Sequence, residues 1–416
     1  MLAVTYAFLR AAGVWGIHPA TFPDSAGYRH LDLSSPIART WPVPLLYSLV
    51  GSDPLRVAMH VVLGSLAWTW LARVLSRSNR FPVAVSVATF VVGLAPQVIR
   101  YDLTILSESL AITFGVAMAA ATLNVSESPS SRTTTQWVLV MTVFTMVRPQ
   151  HMVVLFVAAA VVIIRCAGKR AWPGAAGAMV LGASLIGFWQ FRANSPTGDL
   201  NLYTVITERV LTDDTRFAWF VDHGMPDIPG MRQAQSYDYI EQVSADLLAY
   251  LQFPVGQAPP SLVRAGGMPF AEWVRKDGWS TYARYVVTHP SDTKARVLDL
   301  AAPTLDPVND DFLPLTGRTM VPRWLFAPWK LCAVLTAAGA AFAVLTGRLR
   351  RAAMLAAMFL TTAVIYSTAM LTSGIEHPRH ASMVAVLVRV CALAGFAELM
   401  RREVSADASS SVPPAG

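Results

Sequence analysis

Four short stretches of this chain carry carboxylates and arginines of the kinds that do chemistry together. The first reads Pro23-Asp24-Ser25-Ala26-Gly27-Tyr28, and the second Arg100-Tyr101-Asp102-Leu103-Thr104-Ile105-Leu106-Ser107-Glu108-Ser109-Leu110. The third is Arg148-Pro149-Gln150-His151, and the fourth Glu376-His377-Pro378-Arg379-His380. A carboxylate can take the proton of a hydroxyl nucleophile. A guanidinium can pair with two oxygens of one phosphate, a geometry that lysine does not copy. The two types together suit a transfer in which a base activates an acceptor and a positive charge takes a departing phosphate. Each residue also has a plainer reading. Glu108, inside an apolar run, suits a structural ion pair with a neighbouring span, and Asp24 suits a turn that caps a short helix. Arg148 and Arg379 suit interfacial anchors.

What must position these residues follows from composition. The 416 residues are 54% hydrophobic and only 14% charged, with a mean hydropathy of +0.45, whereas a soluble chain is about one quarter charged. That excludes a disordered, fibrous or nucleic-acid-binding protein, disfavours a water-soluble multidomain enzyme, and leaves an all-α polytopic membrane protein. Apolar runs predict spans near 1–17, 56–75, 82–99, 103–123, 174–191, 328–347, 352–372 and 381–399. Two shorter runs, 137–147 and 151–165, flank Arg148-Pro149. Joined, they would be too long for one span and would bury the arginine. As a pair meeting near the outer surface they expose it, which brings the expected total to about ten spans.

The basic residues set the orientation. With the amino terminus inside, the inner loops hold Arg73, Arg77 and Arg80, then Arg132, then Arg165, Lys169 and Arg170, then Arg348, Arg350 and Arg351, and last Arg401 and Arg402. The net charge of +7 is thereby explained without nucleic acid or any other polyanionic partner. The first segment lacks the basic start and small-residue cleavage site of a signal peptide and reads as a span. Cys166, Cys332 and Cys391 are too far apart for a zinc site or a disulfide framework.

The expected organisation is a transmembrane core over 1–191 that includes a first outer loop at 18–55, an extracytoplasmic, mainly helical domain over 192–327, C-terminal transmembrane helices over 328–402, and a disordered tail over 403–416. Within the outer domain, Ile240, Val243, Leu247, Leu248 and Leu251 have the spacing of an amphipathic helix. From Phe270 to Val287, Trp273, Trp279, Tyr282 and Tyr285 alternate with Arg275, Lys276 and Arg284. That mixture fits a helix lying at the headgroup boundary and equally one packed inside the outer domain.

Three of these elements resemble the integral-membrane glycosyltransferases of the GT-C fold, a superfamily that includes protein O-mannosyltransferases, aminoarabinose transferases and bacterial polyprenyl-sugar enzymes. They are Asp24-Ser25-Ala26-Gly27-Tyr28 in the first outer loop, Ser107-Glu108-Ser109-Leu110 in the fourth span, and the Arg148-Pro149 break. The likeness covers residues 1–191, where seven spans precede a large outer domain. It implies a GT-C-like enzyme of the cell membrane that moves a sugar from a polyprenyl-phosphate donor to an extracytoplasmic glycan, lipid or protein acceptor by one inverting displacement. Asp24 takes the place of the acidic residue that engages the acceptor. Many members have two adjacent acids there, and this chain has Asp24-Ser25. Asp102 or Glu108 stands for the second acidic site and Arg148 or Arg379 for the binder of the donor phosphate, with both pairs open. Tyr28 and His377 join Arg148 and Arg379 as candidates for substrate binding. Some members use a divalent cation, and Asp24 with Asp102 or Glu108 and His377 could supply hard ligands, although no spacing here demonstrates a metal. Two other expectations compete: a secondary transporter coupled through Glu108, and a non-catalytic membrane scaffold whose outer domain binds a polymer.

Overall fold

The computed structural model describes residues 1–22, 24–31, 39–77, 79–128, 130–154, 182, 201–227, 232, 268–306, 317–374 and 376–401. Among them the regular elements are helical, and β pairing is limited to two isolated bridges, Ala20 with Thr104 and Asn79 with Arg401. The first half comprises α1 (Leu2–Val14), α2 (Ser25–Arg29), α3 (Pro42–Leu49), α4 (Asp53–Ser76), α5 (Pro82–Gly93), α6 (Pro96–Asp102), α7 (Glu108–Glu127) and α8 (Ser131–Val147). The second half comprises α9 (Asp214–Asp222), α10 (Met268–Trp273), α11 (Trp279–Thr288), α12 (Pro290–Asp299), α13 (Ala301–Leu305), α14 (Trp329–Leu345), α15 (Leu349–Thr372) and α16 (His377–Leu399).

Five helical segments are long and apolar enough to cross a membrane: α4, α7, α15, α16 and Arg323–Leu345, which contains α14. The chain is an all-α membrane protein. The run expected as a span at 82–99 is a bent pair, α5 and α6, which meet at 58° and would make a sixth crossing if counted as one. The cause is Pro96, which has no N–H to donate and pushes Ala95 to an extended ψ of 140°. The span expected at 1–17 is the 13-residue helix α1, at 1.5 Å per residue about 20 Å long and short of a hydrocarbon core. Most of 151–165 and nearly all of 174–191 lie outside the described residues, as do the helix expected around Ile240–Leu251 and the tail.

Burial separates inner from outer helices. In α7 and α16, 78% and 89% of the apolar window is buried inside the protein, against 22% and 33% in Arg323–Leu345 and α15. The first two form the centre; the others turn Leu331, Val334, Val344 and Leu360 outward, as helices facing hydrocarbon do. Gly339 of α14 and Gly395 of α16 bring these two backbones together, since a β-carbon on Gly339 would stand only 2.5 Å from the Gly395 Cα.

A second apolar cluster joins Leu202, Ile206 and Phe220 to Trp273, Tyr282 and Tyr285. The aromatic stretch therefore packs inward: three of its rings are buried on one face while Arg275, Lys276 and Arg284 lie exposed on the other. This cluster is tied to the end of α15 by Tyr282 Oη, which donates to the Leu371 carbonyl at 2.8 Å. Gly374 completes the seam, because a β-carbon there would fall 2.3 Å from the Thr204 carbonyl carbon.

Candidate functional site

The starts of α4, α7 and α16 and the ends of α6, α8 and α15 meet at one end of the bundle, and the charged residues gather there. The first loop is fastened over α7 by backbone: Ala20 N donates to Leu103 O at 2.8 Å and Ile105 N to Ala20 O at 3.0 Å. Tyr28 Oη then reaches Ser107 Oγ at 3.4 Å. Asp24, at the start of α2, is thereby carried to the mouth of the helix that opens with Glu108. From below, Tyr47 Oη supports the same turn by donating to Leu106 O at 2.6 Å.

Glu108 is fully buried and is the first residue of α7. It does not sit a turn and a half inside a helix, as the apolar run from 103 suggested, because residues 103–107 are irregular. Placed at the amino end, its carboxylate meets the positive pole of the helix. Its Oε1 accepts from Arg148 Nη2 and, at 2.5 Å, from Arg379 Nε. Arg148 is held in turn by Ser107 Oγ at 2.9 Å. It faces inward because Pro149 ends α8 and leaves Arg148 extended, at φ −144° and ψ 140°.

Arg379 is the hub. Its three nitrogens serve three carboxylates: Nε goes to Glu108, Nη1 to Glu376 Oε2 at 2.6 Å, and Nη2 to Asp24 Oδ2 at 3.0 Å. The other Asp24 oxygen accepts from Arg39 Nη2 at 2.7 Å, and Arg39 also lies 5.2 Å over the Tyr28 ring. The cluster therefore sets three carboxylates against three guanidiniums and is balanced. It opens at Asp24, whose side chain is 35% exposed, while Glu108 is closed to solvent.

Burial alone would push the Asp24 carboxyl up, but Arg39 and Arg379 outweigh it and hold the group below the ordinary carboxylate range. Glu376 behaves oppositely: burial raises it, and Arg379 offsets only part of that rise. Glu376 is also the one non-glycine residue with positive φ among the described residues, at 53°. A left-handed glutamate is strained, and strain of about 1–3 kcal/mol persists where surrounding contacts fix the residue. Here Arg379 holds its side chain, and its carbonyl accepts from His380 N at 3.0 Å.

Of the residues singled out in the sequence, Asp24, Tyr28, Glu108, Arg148 and Arg379 come together. Asp102 and His377 do not join them. Asp102 pairs with buried Arg10 at 2.8 Å and accepts from Ser109 Oγ at 2.9 Å, clamping α1 to α6. His377 Nε2 lies 3.3 Å from Arg296 Nη2 and 3.1 Å from Ser373 O, on the side of the second apolar cluster. Sequence reasoning missed Arg39 and gave Glu376 no role. The signal for Arg39 was its presence in a loop expected on the outer side, where charge bias disfavours arginine; the signal for Glu376 was its place before a helix-opening His377-Pro378. Among the described residues, no group of three or more His, Cys, Asp or Glu side chains is disposed to hold a metal ion.

This arrangement can exchange partners. An incoming phosphate offers arginine the same oxygen geometry as a carboxylate, and a carboxylate released from its arginines regains affinity for a proton. No protein-family model, no curated protein and no solved structure matches this chain.

Proposed function

We propose that the protein is a GT-C-like membrane glycosyltransferase that takes a sugar from a polyprenyl-phosphate donor and passes it to an acceptor on the extracytoplasmic side. The observation that carries this reading is the Arg379 fork, which joins Asp24, partly exposed at the rim, to Glu108, buried beneath it.

In this reading the donor phosphate competes with Asp24 for Arg379 and Arg39. The acceptor hydroxyl oxygen attacks the anomeric carbon, its proton passes to Asp24, and the bond from that carbon to the phosphate oxygen breaks. Its electron pair leaves with the polyprenyl phosphate, and the configuration inverts. The freed Asp24 is a better base than the paired one, so donor binding switches it on. Glu108 keeps Arg148 and the remainder of Arg379 in position. Asp24→Asn in membranes supplied with radiolabelled polyprenyl-phosphate sugars is expected to lower transfer by about 10²–10⁴-fold, with the protein still folded; unchanged transfer removes Asp24 as the base.

The secondary-transporter reading draws on a different feature, the bent α5–α6 pair, since broken helices mark transport sites. Proton-coupled uptake by sealed vesicles that is abolished by Glu108→Gln, with no sugar transfer in the wild type, would select it.

A further inference from the structure

Sharing no residue with this cluster, a shallow surface cleft is lined by Arg100, Arg318 and Arg323, together with Gly317 and Thr319. Its walls are fastened. Arg318 N donates to the Gly13 carbonyl at 2.9 Å, and Gln97 Nε2 reaches the Arg323 carbonyl at 3.4 Å. The Arg100 guanidinium is buried, 4.9 Å over the Tyr101 ring, and donates to the Tyr101 hydroxyl at 3.1 Å. Arg318 and Arg323 are exposed at the opening.

The position of the cleft limits what reaches it. Arg323 is the first residue of the Arg323–Leu345 crossing segment, and Arg100 lies in the last turn of the bent α5–α6 pair. Both therefore stand where apolar segments leave the hydrocarbon. Trp15 and Trp324 flank them, 75% and 76% exposed, and exposed tryptophans of this kind belong at the headgroup level. At that depth the abundant anion is lipid phosphate. The two exposed guanidiniums of Arg318 and Arg323 and the Thr319 hydroxyl at one cleft suit its oxygens, with buried Arg100 adding positive charge behind them.

We infer that this cleft binds the phosphate of an anionic lipid, as a site separate from the Asp24–Arg379 cluster and independent of the glycosyl-transfer reading. The full-length protein in nanodiscs that contain phosphatidylglycerol, phosphatidylcholine or polyprenyl monophosphate is released for native mass spectrometry. Wild type is expected to retain one phosphatidylglycerol or polyprenyl phosphate, the two arms telling which, and no phosphatidylcholine. The exposed pair Arg318→Gln and Arg323→Gln should cut retention by roughly tenfold or more, while Arg350→Gln, at an exposed arginine elsewhere, should leave it unchanged. Equal retention by the double variant or equal retention of phosphatidylcholine would each overturn the assignment.

Discussion

At the scale of residues, the cluster is a set of charges that exist only in each other's company. Glu108 is fully buried and Arg148 nearly so, and an ion left alone in such a place costs about 3–5 kcal/mol. Glu108→Ala is expected to destabilise by that amount in chemical unfolding in detergent, and the double variant Glu108→Ala with Arg148→Ala by clearly less than the sum of the single changes. Acid titration separates the two rim carboxylates. Asp24 has a depressed folded value, so its contribution is full above the ordinary 3.8 and is lost as pH falls through the depressed value. Glu376 is raised in the folded state, which holds its proton more tightly than the unfolded chain. Its contribution is therefore greatest below the ordinary 4.5 and is lost as pH rises through the raised value. Glu376→Gln should flatten the stability profile above pH 4.5 and leave the acid limb from Asp24 in place, as thermal unfolding across a pH series will show. Much of this was legible: a glutamate inside an apolar run, an arginine before a proline, and an aspartate in a polar loop each announced themselves. What sequence could not supply was pairing. Arg10 and Asp102 are 92 residues apart, and Arg379 and Asp24 are 355 apart; Asp102 and Glu108 looked interchangeable until their arginines were known.

At the scale of elements, local rules explain the breaks, although the one at Pro96 fell inside an expected span, and they set the lengths less well. Pro96 bends one expected span and Pro149 ends another helix, both for want of an N–H and through the restriction on the preceding residue. Helix starts were less visible. Hydropathy runs on through Leu103, Ile105 and Leu106, so the run gives no sign that the helix waits for Glu108; those residues are buried in irregular backbone whose carbonyls are taken by Ala20 and Tyr47. Close helix contact has a clearer sequence origin in small residues. Gly339 meets Gly395 with no room for a β-carbon, so Gly339→Val must part α14 from α16, at a cost of at least about 1–3 kcal/mol for overpacking. The expected result is a lower midpoint of thermal unfolding than wild type, whereas a neighbouring outward-facing change, Val334→Ala, should leave it nearly unmoved because Val334 is 62% exposed.

At the scale of the whole molecule, the two ends of the bundle differ in the way their charges are used. At the end away from the cluster, Arg348, Arg351 and Arg401 share Glu127 and Glu398, while Arg73, Arg77, Arg80 and Arg350 stand exposed nearby. An excess of exposed arginines at one end is the pattern expected of a cytoplasmic face, and in the proposed orientation the Asp24–Arg379 cluster lies on the other side of the membrane. α4 links the two ends, from Asp53 beside the cluster to Ser76 beside the basic end. Single cysteines at Ser52 and Arg77, introduced after Cys166, Cys332 and Cys391 are replaced, test the assignment directly. An impermeant maleimide applied to intact cells is expected to label the cysteine at position 52 and to reach position 77 only after permeabilisation. The reverse pattern would turn Asp24 toward the cytoplasm, where soluble nucleotide sugars rather than lipid-linked ones supply activated donors. The cluster's chemistry would survive that result, but the donor class would not, because the argument for a polyprenyl phosphate rests on the side of the membrane to which Asp24 opens.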